Sequence, residues 1–125
     1  MKIPNNLFYT KEHEWIEFID KIAIVGITDF AQSQLGDVIF IEFPQVGEEL
    51  ISGSSFGEIE AVKTVSDLYA PISGRVTNIN MELDGAPELV NNDPYGKGWL
   101  VKIEPVNIKE RDKLMNSDEY QKFVS

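Results

Sequence analysis

Gly57-Glu58-Ile59-Glu60-Ala61-Val62-Lys63-Thr64-Val65-Ser66-Asp67-Leu68-Tyr69-Ala70-Pro71-Ile72-Ser73-Gly74 carries one lysine, Lys63, between two strand-like runs. Before the lysine, Glu58 and Glu60 alternate with Ile59 and Ala61, the period of two that a half-buried strand requires. Beyond it, Pro71 and Gly74 bracket a turn, and a new alternating run goes from Arg75 to Ile79. The spacing predicts a hairpin over about 56–79 with Lys63 at or beside its tip. A tip lysine is ordinarily a solubility device, because its charge prefers water.

The pattern on both sides of this stretch is mostly β. Leu7 to Thr10 begins a strand, the charged run Lys11-Glu12-His13-Glu14 interrupts it, and Trp15 to Phe18 resumes it. Asp20-Lys21 turns into Ile22 to Ile27, a buried strand by its β-branched content. Thr28 or Asp29 can cap a short helix over Phe30 to Leu35, which Gly36 ends. Val38 to Phe43 reads as a strand, Pro44 to Leu50 as a turn and Ile51 to Ser55 as a loop. After the hairpin, Met81 to Pro87 is loop-like, and Pro87 can open a helical turn over Glu88 to Val90. Asn91 to Gly98 is dense in turn residues, and Trp99 to Ile103 is the last strand. The tail from about 107 to 125 is helix-prone, with Tyr120, Phe123 and Val124 at helical spacing. Many short strands with glycine and proline turns predict a β-sandwich or flattened barrel carrying short helices.

At 125 residues the chain is sized for a single domain, 1–125. It has no cysteine, which excludes thiol catalysis, thiolate metal sites and disulfides together. A net charge of −10 repels phosphate backbones and disfavours nucleic-acid binding. The first six residues lack the apolar core of a signal peptide, and no run approaches membrane-span length. The expectation is a cytoplasmic protein, or a processed form of the mitochondrial matrix, with neither nucleic acid nor membrane as partner.

Enzymatic parts are missing. His13 is the only histidine and lies between Glu12 and Glu14. A neighbouring carboxylate can raise its pKa, yet the sequence pairs it with no nucleophile, and it reads as a structural or cleft-wall residue. No spaced carboxylate loop or phosphate-cradling glycine motif is present, so neither a metal site nor a catalytic residue is expected.

The stretch around Lys63 resembles the modification loop of the H-protein family of the glycine cleavage system, through Glu60, Val62-Lys63, Ser66-Asp67, Ala70-Pro71 and Ser73-Gly74. The likeness continues through His13-Glu14-Trp15, Gly26 to Gln32, Leu35-Gly36-Asp37, Pro44, Gly47, Gly53, Leu89-Val90-Asn91, Asp93 to Gly96 and Gly98 to Ile103, and spans Leu7 to Val124. The resemblance implies a lipoyl-domain-like barrel-sandwich hybrid in which lipoate is joined by an amide bond to Lys63. Such an arm reaches about 15 Å when extended. It also implies a non-catalytic carrier. The arm takes an aminomethyl group from glycine decarboxylase (the P protein) and presents it to the tetrahydrofolate-dependent aminomethyltransferase (the T protein). Dihydrolipoamide dehydrogenase (the L protein) then reoxidises it.

A lipoate ligase, or a lipoyl or octanoyl transferase, would attach the arm, with Glu60 and Val62 as its recognition residues. Glu14, Asp67 and His13 are candidates for a cleft that holds the arm. Glu14 can also be merely solvated, and Asp67 can instead brace the hairpin through a backbone hydrogen bond. The family usually has Ser and Ala where this chain has Ala61 and Thr64, and an acidic or neutral residue at Arg75. These departures bear on ligase preference. Three other readings stand beside this one. A relay that hands lipoate to other carriers is inseparable from it in sequence. A biotin carrier usually flanks its lysine with methionines, which Val62 and Thr64 are not. An unmodified interaction module would tolerate Lys63→Arg.

Overall fold

A computed structural model describes residues 1–125. Nine strands form two antiparallel sheets. In the first, β1 (Phe8–Tyr9), β2 (Glu14–Ile19), β3 (Ile22–Ile27), β9 (Val101–Pro105), β8 (Gly74–Ile79) and β5 (Glu49–Leu50) lie side by side in that order. The second places β6 (Ser55–Ala61) between β4 (Val38–Glu42) and β7 (Val65–Tyr69). One buried apolar cluster joins the sheets, with Ile16, Val25, Val76 and Ile103 from the first and Ile41, Ile59 and Leu68 from the second. This is the mostly β sandwich with short helices that the strand and turn pattern predicts, and the lipoyl-domain-like barrel-sandwich that the resemblance implies.

The helices close the ends. The helix α1 (Asp29–Leu35) starts where the Thr28 side chain accepts from the Ala31 N–H, and Gly36 stops it at φ 81°. The short turns α2 (Glu82–Gly85) and α3 (Leu89–Asn92) each bury one apolar side chain, Leu83 and Val90. The tail forms a 3-10 turn (Ile108–Lys113) and then α4 (Ser117–Val124), opened by a capping box between Asn116 and Glu119. Tyr120 carries α4 into a second small core with Leu7, Tyr9 and Trp15. Gly26 is where only a hydrogen fits, because a Cβ there would sit 2.5 Å from the Trp15 ring nitrogen.

The structure corrects the sequence reading in several places. The hairpin is Ser55–Tyr69, not about 56–79: β7 is the return strand, and Gly74–Ile79 pairs with β9 and β5 in the other sheet. Between them, Ala70, Pro71 and Ile72 are buried as the chain crosses from sheet to sheet, and Pro71 has no N–H to leave unpaired. Glu49–Leu50 is a short strand inside the expected turn, and Leu83 folds the expected loop into α2. The charged interruption ends one residue early, since Glu14 is already in β2. The last strand starts at Val101 rather than Trp99 and runs to Pro105.

Candidate functional site

Lys63 sits at the β6–β7 tip and is exposed. Glu60 pairs with Val65, and the Ala61 N–H donates to the Thr64 carbonyl at 2.8 Å, leaving Val62 and Lys63 as the turn. Neither has a positive φ, so the tip needs no glycine and a long side chain is unstrained there. A further bond comes from outside the hairpin: the Val62 N–H donates to the Asp37 carbonyl at 3.0 Å. That linker is fixed by Asn91, whose amide accepts from the Val38 N–H and donates to the Gly36 carbonyl. The Lys63 ammonium makes no ion pair; Arg75–Glu104 is the only one in the molecule. The backbone is held and the side chain is free.

The residues expected to guide an attaching enzyme lie on the same tip. Val62 is 67 % exposed, while Glu60 is partly buried beside Phe40 and Val65 in the register. Two rows along, the sheet aligns Glu42, Glu58 and Asp67, three exposed carboxylates across three strands. Such like-charge alignment opposes sheet stability.

Adjoining hollows lie beside the tip. A hollow of about 300 Å³ lies between Lys63, Val62 and the Ser33–Asp37 segment. It shares Gln34 and Leu35 with a cleft of about 330 Å³ between α1, β7 and the Glu12–Glu14 segment. All three predicted cleft residues, Glu14, Asp67 and His13, line that cleft. A third hollow, about 420 Å³, shares Glu12 and Glu14 with it and opens on the far side.

Glu14 is 2 % exposed, so the solvated alternative is overturned. The Thr10 hydroxyl donates to one carboxylate oxygen at 2.6 Å, and the Tyr69 N–H approaches the other at 3.4 Å. No cation neutralises it, and burial pushes its pKa up to about 7 against the pull of those two donors. His13 is also perturbed, in the direction opposite to the sequence expectation. Burial pushes its pKa down, and the Glu12 carboxylate only partly offsets this. His13 has φ 68°, a left-handed turn that swings its ring between Phe30 and Phe123 while Glu14 resumes the strand. Asp67 is exposed, and no backbone N–H donates to its carboxylate, so the bracing role falls away. Thr10, Tyr69, Asn91 and Tyr120 serve the site without having been singled out for it; the contacts of the last three are long-range and leave no local pattern, whereas Thr10 stands only four residues from Glu14 at the end of a run read as strand.

No His, Cys, Asp or Glu cluster in the molecule has metal-holding geometry. No helix is long and apolar enough to cross a membrane.

The family model described as the glycine cleavage H-protein matches residues 7–125. The chain belongs to the glycine cleavage H-protein family. It is 52 % identical over 122 residues to the glycine cleavage system H protein of Carboxydothermus hydrogenoformans, covering 98 % of this chain and 94 % of that one. With the H protein of Symbiobacterium thermophilum the identity is 54 % over 122 residues, covering 98 % and 95 %. The crystal structure of an H protein from Mycobacterium marinum superposes with a TM-score of 0.89 at 40 % identity, covering 96 % of this chain and 97 % of that one. Glycine cleavage H-proteins are lipoyl carriers, the carrier subunits of the glycine cleavage system. An exposed lysine on a held tip beside a hollow suits an amide-linked arm.

Proposed function

We propose that this chain is the non-catalytic lipoyl carrier of a bacterial, cytoplasmic glycine cleavage system, one carrier domain over 1–125 with lipoate on Lys63. A carried aminomethyl group would pass from glycine decarboxylase to the aminomethyltransferase, and dihydrolipoamide dehydrogenase would reoxidise the arm. The observation that carries this reading is a pair of adjoining hollows sharing Gln34 and Leu35, one lined by an unpaired tip lysine and the other by a buried, uncompensated carboxylate. The cofactor would supply a dithiolane that opens, bears the one-carbon amine and recloses on oxidation.

The chain's own residues do the rest. Glu60 and Val62 would present the tip to a lipoate ligase, or a lipoyl or octanoyl transferase, while the Asp37–Val62 bond keeps that tip rigid. The apolar wall of Phe30, Leu35 and Leu68 would line the arm and exclude water. Glu14 and Asp67 would face its cationic end, with Glu14 the stronger partner because a buried charge pair is poorly screened. Lengths agree. From Val65 to Tyr69 the strand advances about 13 Å, comparable with the ~15 Å arm, and the Tyr69 N–H stands 3.4 Å from the Glu14 carboxylate.

The test is intact mass and peptide mapping of protein made with a competent lipoyl ligase. A lipoyl-sized increment confined to the Lys63 peptide, followed by glycine-dependent loading with glycine decarboxylase, is the expected result. No increment would sink the reading, and a biotin-sized one would replace it.

A further inference from the structure

One hydroxyl from the C-terminal helix touches both walls of the cleft. The Tyr120 oxygen lies 2.8 Å from His13 Nδ1 and 2.7 Å from Thr28 Oγ1. His13 belongs to one wall; Thr28 caps α1, which forms the other.

The direction of these bonds follows from counting protons. Thr28 is wholly buried, and its oxygen already accepts the Ala31 N–H at 3.1 Å. Its own proton has one acceptor within reach, the Tyr120 oxygen. A buried hydroxyl proton left without an acceptor costs about 1–3 kcal/mol, so Thr28 donates to Tyr120. The Tyr120 proton is then free only for His13 Nδ1, which must be a bare acceptor. A neutral imidazole with a bare Nδ1 carries its proton on Nε2, and Nε2 has no partner within the fold.

We propose that the Thr28–Tyr120 relay holds His13 as a neutral, Nε2-protonated donor in the cleft wall, so that every charge the cleft turns toward a cationic arm end is negative. Tyr120 is thus a positioning residue acting through His13, an inference that rests on the carrier reading above. The charged groups sharing the cleft with His13 are Glu12 and Glu14 from its own segment and Asp67 from β7. From α1 it meets Phe30 and Gln34, and from α4 Tyr120 and Phe123, none of them charged at neutral pH. Three neighbouring carboxylates would ordinarily favour an imidazolium. Protonating Nδ1 would set two donors against each other at Tyr120, and burial opposes the charge as well. A protonated His13 would repel the ammonium that Glu14 attracts.

The chain has one histidine, so a long-range proton–nitrogen-15 spectrum of the ring reads without ambiguity. At about pH 8 the unmodified protein should show a protonated Nε2 and a bare Nδ1, with a titration midpoint below the ordinary ~6.5. A protonated Nδ1 or a mixture of tautomers at that pH, or a midpoint at or above ~6.5, overturns the proposal. Tyr120→Phe keeps the ring and removes the relay, and should raise the midpoint by about one pH unit. If that variant does not fold, Thr28→Val, which frees the Tyr120 proton from its fixed direction, should yield mixed tautomers.

The second readout is loss of the carried amine to water from lipoylated, glycine-loaded protein. The rate in Tyr120→Phe relative to the parent should be near one at about pH 8 and about fivefold at about pH 6. Taking the ratio cancels the titration of Glu14. A uniform ratio at both pH values makes Tyr120 merely structural and overturns the role in the cleft. Protein that never accepts a lipoyl group defeats the carrier reading instead, while the ring spectrum still judges the relay.

Discussion

Lys63 and Glu14 line two adjoining hollows, and the fold treats them in opposite ways. Lys63 keeps a fully free side chain on a backbone tied at three points, by Glu60–Val65, Ala61–Thr64 and Val62–Asp37. Glu14 is shut in, its carboxylate met by Thr10 and Tyr69 with no cation in place. The first arrangement costs the fold nothing, because an exposed ammonium on an unstrained turn is at its ordinary free energy. The second carries a standing cost, since a buried carboxylate is charged only against its desolvation. On the carrier reading, the difference would separate attachment, which needs access, from holding, which needs a charge kept out of water.

The contrast breaks first at the tip. Lys63→Arg should abolish the lipoyl mass increment and all glycine-dependent loading, with a melting temperature within about 1 °C of the parent because nothing packs on the side chain. A fold that failed with this variant would show the lysine to be structural. Next, Asn91→Ala removes the clamp behind the tip and leaves the buried Val38 N–H unpaired. Urea unfolding should show a loss of about 2–3 kcal/mol, and an unchanged value would mean the tip is held by the hairpin alone.

Glu14→Gln sharpens the other end. The folded pKa of Glu14 is raised to about 7 from 4.5, so the folded state binds the proton more tightly than the unfolded one. The favourable contribution is fully present below about pH 4.5 and is lost as pH rises through about 7, a difference of up to ~3 kcal/mol. Glutamine does not ionise but sets an amide against the Tyr69 N–H, so the empty protein should gain about 1–2 kcal/mol at about pH 8. Loaded protein should shed its amine about tenfold faster. Unfolding curves at about pH 5 and pH 8 test the first claim: a parent as stable at the higher pH as at the lower would contradict it. The smallest effect belongs to Arg75→Ala. Its ion pair with Glu104 is half-exposed on both sides, and its loss should cost no more than about 0.5 kcal/mol and leave loading unchanged.

What could be read from the chain was local. Alternation marked β6, β-branched content marked β3, and Thr28 and Gly36 bounded α1, because each depends on neighbours within one turn or one strand. The hairpin was drawn too long because Arg75 to Ile79 alternates as well as a return strand should, and alternation does not say which sheet a strand joins. Val65 to Tyr69 hides its strand character behind one buried residue, Leu68. The lysine was legible through the residues beside it. The cleft was less so: Glu14 reads as one carboxylate in a charged run, and only Ile27, α1 and β7 packed against it make it a buried group. Tyr120 shows helical spacing in the tail, and nothing in the tail says that its hydroxyl ends against His13.

That last contact joins residues 107 positions apart in the chain. The tip hairpin is local and can pair early in synthesis, whereas the Tyr120 contact on the cleft wall waits for α4 at its end. On the carrier reading proposed above, the lysine would be on offer before its shelter is complete. An enzyme that reads the tip alone would meet its target on a growing chain. A chain stalled before α4 would offer that lysine while His13 is still without its partner.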